Sequence, residues 1–276
     1  MLIKQSNLFK IKFKIMSLLQ EQVPNYEIVF LNKKINKYCL IIPVINEGKN
    51  IKILLDRISK INLNKIIDIL IVDGGSSDGS LDFNNLKKSI RSLLIMKTDG
   101  KLSSQLRCAY SFALKEQYDG FVTIDGNNKD DPNLVIDFIN YLDKGFHFVQ
   151  ASRFITNGRA INTPILRYLS IRLIHAPMLS FFSGFNWTDT TQGYRGYSRK
   201  IFEDKSIAPF REIFISYELL SYLSYRVPKL GYNCIEIPST RIYPKFENNS
   251  KIRGLANHLS ILKILFFSCI GFYDPK

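Results

Sequence analysis

Residues 69–80 read ILIVDGGSSDGS: four consecutive apolar residues deliver a carboxylate, Asp73, into a turn bent by three glycines. A strand with no polar alternation is buried on both faces, which is the habit of parallel sheets covered by helices. Working outward from it, strands are predicted at Tyr38–Val44, Ile66–Asp73, Ser92–Met96, Gly120–Asp125 and Phe146–Ala151. Between them Ile51, Leu54, Leu55 and Ile58 recur at helical spacing, as do Leu134, Ile136, Phe138, Ile139 and Leu142. This alternation predicts an α/β fold, a mostly parallel central sheet flanked by helices. Polar residues collect where the strands run out: Asn46 and Glu47, then Asp73 to Ser80, then Asp125 to Asp131. In an open parallel sheet these all fall on the carboxyl edge, where ligands bind.

The chain has 276 residues, 46% of them apolar and 22% charged, which excludes disordered, collagen-like and disulfide-scaffold classes. Lys and Arg number 38 against 24 acids, a net charge of +14. Such an excess concentrates anionic partners: sugar nucleotides, lipid phosphates, nucleic acid or an acidic membrane face. Cys39, Cys108, Cys234 and Cys269 are too scattered for a zinc motif or a disulfide framework and read as reduced thiols. His147, His175 and His258 show no ligand spacing, and His175 reads as a packing residue.

The apolar run Ile261 to Tyr273 is broken by Lys263 and is shorter than a bilayer span, so no transmembrane helix is expected. Residues 1–15, MLIKQSNLFKIKFKI, lack a cleavage site and read as a basic arm rather than a secretory signal. Residues 163–182, TPILRYLSIRLIHAPMLSFF, form an apolar helical stretch carrying Arg167 and Arg172. Thr163 is the expected cap, Pro164 the first helical position and Pro177 a kink or stop. Cations on an apolar helix suit either a lipid–water boundary, where their stems snorkel, or ordinary packing.

Three stretches carry chemistry. IIPVINE (41–47) ends a strand at Pro43 and places Asn46 and Glu47 in a loop. In the second, Asp73 is an acceptor for a nucleobase imide or ribose hydroxyl, the glycines leave room for rings, and Asp78 caps the following helix. The stretch is neither a GxGxxG nor a Walker loop. FVTIDGNNKDDP (121–132) ends on Asp125 and continues with Asn127, Lys129, Asp130 and Asp131. Alternating oxygen ligands suit a hard divalent cation holding a diphosphate, and Lys129 supplies part of that neutralisation itself.

PxxNE, DGGSSDGS and DGN, each after a strand and in this order, resemble family 2 inverting glycosyltransferases of the GT-A fold. The runs ASRF (151–154), TDTTQGYR (188–195) and SK (250–251) narrow the resemblance to the branch of polyprenyl-phosphate and dolichyl-phosphate mannosyl- and glucosyltransferases. It covers about Tyr38 to Arg253. The resemblance implies a GT-A domain at 37–256, between a basic extension at 1–36 and an amphipathic C-terminal segment at 257–276. It implies that Pro43, Asn46, Glu47 and Asp73 line the nucleotide pocket. Asp125 would approach the diphosphate and a Mg²⁺ or Mn²⁺ ion, with Asn127 as the second metal ligand. Asn127 replaces a usual aspartate there, which weakens the site. Arg153 and Arg167 would hold an acceptor phosphate; Asp189, Gln192 and Arg195 would close the donor-sugar side, with Asp125, Asp189 and Arg195 catalytic. Arg241, Lys251 and Lys129 would clamp donor phosphates.

The implied reaction moves a sugar from a nucleotide-diphosphate sugar to a polyprenyl phosphate with inversion, at the cytoplasmic membrane face. Transfer to a saccharide hydroxyl is the alternative, and it needs a general base, for which Asp189 is the candidate. A non-catalytic binder of anionic lipid or nucleic acid fits the charge alone, but no RNP, KH or zinc pattern supports nucleic acid as the partner.

Overall fold

The computed structural model describes residues 22–81, 87–244 and 255–276. In chain order the elements are β1 (Tyr26–Leu31), β2 (Tyr38–Val44), α1 (Lys49–Lys60), β3 (Asp68–Asp73), β4 (Ser92–Met96), α2 (Leu102–Lys115), β5 (Gly120–Thr123), α3 (Val135–Asp143), β6 (Phe148–Ser152) and β7 (Arg159–Ile161). They continue with α4 (Ile165–Ser170), α5 (Ala176–Ser183), β8 (Arg195–Ser198), α6 (Arg199–Glu203), α7 (Glu218–Lys229), β9 (Cys234–Pro238), β10 (Thr240–Ile242) and α8 (Leu255–Cys269).

Because strand side chains alternate, each central strand feeds two cores. Cys39, Ile41, Leu70, Val72 and Leu94 pack on one face with α2, α7 and α8. Leu40, Ile42, Ile69, Ile71 and Leu93 pack on the other with α1 and α3. Both faces are covered, which is why these strands are apolar throughout. In α1 the buried residues are Ile51, Leu54, Leu55 and Ile58, the set expected from spacing. Burying each such side chain stabilises the fold by roughly 1.5–3 kcal/mol before chain entropy is counted.

The main sheet runs β1-β4-β3-β2-β5-β8-β6-β9, with β7 and β10 paired separately. Neighbours β4, β3, β2 and β5 are parallel; β1 and β8 run against their neighbours. The five expected strands are present, within two residues at their ends. Tyr26–Leu31, placed by sequence reading in the N-terminal extension, is instead the edge strand of the sheet. It carries an apolar run, Ile28 to Leu31, but Ile28, Val29 and Leu31 are exposed at the edge rather than buried on both faces as in the central strands. Strand β8 was also missed, because Arg195–Ser198 carries an arginine, a glycine and a serine.

Thr163 does not cap the 163–182 helix: its Oγ1 is buried without a partner, and the helix begins after Pro164. Pro177 does not stop it either. A π-helical turn, Ile171–His175, precedes Pro177 at the start of α5, and this looser turn accommodates a residue without an N–H. His175 packs as expected, 8% exposed. Burial, with Arg167 adding to it, pushes its imidazole down to about 4. The unfolded chain takes up this proton near 6.5 while the native state refuses it, so stability is full above about 6.5 and falls as pH drops towards 4. Urea melts across that window should show a loss on the order of 2–3 kcal/mol attributable to this group, flattened in His175→Met. An unchanged slope in that variant would remove His175 as the cause.

The C-terminal helix is docked through Ile264, Leu265, Cys269 and Tyr273, and Asp274 pairs with Arg226 at 2.9 Å. Its other side leaves Leu259, Phe266 and Ile270 exposed. Among the described residues no helix is long and apolar enough to cross a membrane. All four cysteines are free thiols.

Candidate functional site

The loops after β2 and β3 are stitched into one wall. Asn46 adopts a left-handed backbone, φ 48°, that asparagine tolerates better than most residues. Its Oδ1 accepts from Ser77 N–H at 2.9 Å, and its own N–H donates to Ser76 Oγ at 2.9 Å. The N–H groups of Glu47 and Gly48 both donate to Ser80 Oγ. Asp78 accepts from Gly48 N–H at 2.9 Å. It therefore serves the entry of α1, across the loop; residues 82–86, where a helix is expected to follow it, lie outside the described residues.

Asp73 is buried and folds its carboxylate back onto its own turn, accepting from Gly75 N–H (2.7 Å), Ser76 N–H (2.9 Å) and the Ser76 hydroxyl. It shapes this wall; any contact with a ligand uses what acceptor capacity remains. Gly74 is required here because a Cβ would come within 2.7 Å of Gln105 Nε2, which donates to Val44 O and Val72 O. Gln105 thus ties together the ends of β2 and β3, a role invisible in a mid-helix glutamine. Pro43 lies buried within β2, its carbonyl beside Gly126 at the end of β5. Asp73 and Asp125 end strands on either side of β2, so strand spacing sets them about 10 Å apart on one edge.

At the end of β5 the charges interlock. Arg241 donates to Asp125 Oδ2 at 2.9 Å and also pairs with Asp130, which is closed off from solvent. Burial alone would favour losing the guanidinium proton, but Asp130 and Asp125 hold Arg241 above its ordinary value. Gln192 donates to Asp130 Oδ1 at 2.7 Å. Gly193 lies against Asp125, where a Cβ would come within 2.5 Å of Oδ1, so the backbone of the 188–195 segment forms part of this floor.

Tyr243 stands over these groups. Its hydroxyl meets Arg167 Nη1 at 3.0 Å and Arg153 Nη1 at 3.3 Å. Lys129 Nζ lies 5.2 Å from its ring centroid and the Arg241 guanidinium 5.7 Å. Burial alone would raise the phenol, yet Arg241, Arg167 and Arg153 bring it below its ordinary value. Among the described residues neither Lys129 nor Arg167 has a carboxylate within ion-pair distance. Burial, then Arg241, lowers the Lys129 ammonium as well. Cations packed against cations are stabilised by an anion arriving among them.

Two residues expected to be catalytic are enclosed. Asp189 takes a bidentate grip from Arg153, 2.6 Å to Nε and 2.9 Å to Nη2, with both side chains buried. Its backbone N–H and that of Thr188 donate to Glu236, whose carboxyl burial pushes up. Arg195 is 1% exposed and donates to Gln192 O, Thr190 O, Leu220 O and Ser224 Oγ. Both side chains are committed to partners within the protein, tying the 188–195 segment to α7 and the end of β6. Arg153 is likewise held by Asp189 and presents only Nη1 towards Tyr243. Beside it a cavity of about 310 Å³ is lined by Arg153, Phe154, Ile155, Tyr168 and Arg172. Arg172, Tyr243 and Glu236 were absent from the sequence-level site. Only the alternation of Arg241 and Tyr243 after β9 hinted at the second.

As placed, Asp125 and Asn127 do not make a metal centre. Asp125 is occupied by Arg241, and Asn127 turns its amide nitrogen to Asp125 at 3.4 Å while its oxygen accepts from Lys129 N–H at 3.2 Å. Among the described residues no three His, Cys, Asp or Glu side chains are grouped to hold a metal ion. Lys251, the remaining clamp residue, lies outside the described residues, as do Ser250 and residues 1–21.

Known proteins share this architecture. Mannosyl-3-phosphoglycerate synthase from Rubrobacter xylanophilus superposes with a TM-score of 0.60 at 15% identity, covering 84% of this chain and 72% of that one. Glucosyl-3-phosphoglycerate synthase from Mycobacterium tuberculosis, in complex with Mn²⁺, uridine-diphosphate and phosphoglyceric acid, gives 0.58 at 17% identity, covering 87% and 79%. In sequence, polyprenol monophosphomannose synthase from Mycolicibacterium smegmatis is 24% identical over 205 residues, 73% of this chain and 76% of that protein. The family model "Glycosyl transferase family 2" matches residues 39–205, more than half of the chain and all of the sheet edge bearing Asp73, Asp125 and Asp189. With the GT-A sheet in place and the family model spanning more than half of the sequence, the chain belongs to glycosyl transferase family 2 and is a glycosyltransferase.

Proposed function

We propose that this enzyme transfers a hexose from a nucleotide-diphosphate sugar to a polyprenyl-phosphate-type lipid, with inversion, at a membrane surface. The observation that carries this reading is the convergence of Arg167, Arg153, Lys129 and Arg241 on Tyr243, with Lys129 and Arg167 lacking carboxylate partners among the described residues. That is a site for two phosphate groups: one on the donor, nearer Arg241 and Lys129, one on the acceptor, nearer Arg167 and the cavity beside Arg153.

A phosphate acceptor is already ionised near neutral pH. Its oxygen attacks the anomeric carbon as the bond to the donor diphosphate breaks on the opposite face, and no proton need be removed. A hydroxyl acceptor requires a base, and Asp189, its candidate, is closed within the Arg153 pair. The enclosure therefore favours the phosphate acceptor. The relative from M. smegmatis is named for a polyprenol product and the M. tuberculosis structure holds a phosphate-bearing acid, both consistent with this chemistry. Asn46, Glu47 and Asp73 frame the nucleotide, Asp125 lies at the diphosphate, and Lys251 joins the clamp.

Support for a membrane surface comes from α4, α5 and the π-helical turn between them, where Ile165, Leu166, Leu169, Leu173 and Phe181 are exposed together with Arg172. Apolar side chains beside a snorkelling arginine suit the boundary where a lipid phosphate resides.

The test is transfer from a panel of nucleotide sugars to a short-chain polyprenyl phosphate, compared with the corresponding polyprenol and with soluble saccharides. Product from the phosphate alone is expected. In Arg167→Ala the acceptor KM should rise about tenfold or more, as expected for losing one charge-assisted bond, with donor KM within twofold. Unchanged acceptor kinetics would remove Arg167 from the acceptor site, and activity on the free saccharide alone would sink the lipid reading.

A further inference from the structure

We propose that Arg241 and Lys129 neutralise the donor diphosphate in place of a divalent cation, so that this transferase binds its donor without metal. The inference rests on the reading of the cleft as a nucleotide-sugar site, and goes beyond it by naming what meets the phosphate charge.

A divalent ion between two carboxylates leaves the group electrically neutral before the diphosphate arrives. Asp125 and Asp130 with Arg241 and Lys129 reach the same balance using side chains alone. The Arg241 guanidinium already bridges the two carboxylates, donating to Asp125 Oδ2 at 2.9 Å and to the fully enclosed Asp130. An incoming metal ion would have to displace that guanidinium, and Arg241 is held from several sides by buried groups.

The neighbouring position reinforces this. Asn127 brings no charge and directs its amide N–H at Asp125, so its nitrogen, which cannot coordinate, occupies the side from which a ligand oxygen would be needed. Its oxygen is engaged by the Lys129 N–H. The Lys129 ammonium lies over the Tyr243 ring and has no carboxylate partner among the described residues. An unpaired ammonium beside a neutralised carboxylate is an anion site. A guanidinium and an ammonium offer fixed donors to phosphate oxygens, as charge-assisted hydrogen bonds rather than coordination.

The experiment is calorimetric titration and thermal shift of the full chain with uridine, guanosine, adenosine, cytidine and thymidine diphosphates and with pyrophosphate. Each is measured in excess EDTA and again with Mn²⁺. At least one nucleoside diphosphate is expected to bind in EDTA with a Kd within about threefold of its value with Mn²⁺. Lys129→Met should weaken that EDTA-resistant binding at least tenfold while leaving the ligand-free melting temperature in place. Asn127→Asp should weaken binding in EDTA and regain it with Mn²⁺, because it restores an anionic ligand.

Binding that appears only with Mn²⁺ in the unaltered protein overturns the inference and leaves the proposed function standing. So does a Lys129→Met protein that binds in EDTA as well as the parent. Absence of binding by every diphosphate under both conditions overturns the nucleotide-sugar reading itself, and this inference with it.

Discussion

Asp189→Ala is expected to lose about 3–5 kcal/mol of stability, the usual consequence of removing one partner from a buried ion pair. Arg153 would be left charged with a side chain 1% exposed, its Nε without an acceptor and its Nη2 with the Thr191 hydroxyl alone. The loss should spread, because Asp189 also receives Thr191 and its N–H is anchored to Glu236. The variant should therefore melt far below the parent and lose activity through disorder of the 188–195 segment. Asp189→Asn, which keeps the shape and one acceptor, separates this from catalysis. Where it remains folded, its kcat against pH should keep the profile of the parent, since no proton passes through Asp189. Disappearance of an acidic limb from that profile would make Asp189 the base and favour a hydroxyl acceptor.

The second large effect is on rate. Asp125→Ala should lower kcat/KM by about 10²–10³-fold, the scale seen when one electrostatic partner of a developing charge is removed. Its melting temperature should stay within a few degrees of the parent. Asp125 is partly exposed, and Arg241 retains its enclosed partner Asp130, so the fold has little to lose. On the proposed function, the reaction loses the group that fixes one side of the Arg241 guanidinium. Full turnover in this variant would show that Asp125 is only a strand terminus.

Much of the architecture was legible because burial on both sheet faces leaves a mark that local composition carries. The apolar runs 38–44, 69–72 and 93–96 belong in the interior, and the helix after the first reveals its inner stripe at Ile51, Leu54 and Leu55. The carboxyl-edge placement of Asn46, Asp73 and Asp125 followed from strand direction alone. The strand at 195–198, made of Arg, Gly, Tyr and Ser, carries no such mark, and the apolar run Ile28 to Leu31 within Tyr26–Leu31 lies largely exposed at the sheet edge. Their pairing comes from backbone hydrogen bonds with neighbours, which any residue but proline can make.

The site divides along the same line. Which residues are acidic or basic at the sheet edge is written in the chain: Asp125, Lys129, Arg153, Arg167, Asp189 and Arg241 were all identifiable in one dimension. Which cation meets which anion was not, because partners such as Arg153 and Asp189, or Arg241 and Asp130, are 36 and 111 positions apart. An aspartate that is a base when solvated becomes a structural anchor when a guanidinium grips both its oxygens. Only the folding of β6, β8 and β10 against one another decides that. The sequence by itself thus determined the sheet, its ligand-bearing edge and the charges available there, since these depend on local pattern and strand direction. Tertiary structure decided which charges are spent on one another and which, Lys129 and Arg167, have no carboxylate partner among the described residues, since pairing depends on distances that no local pattern encodes.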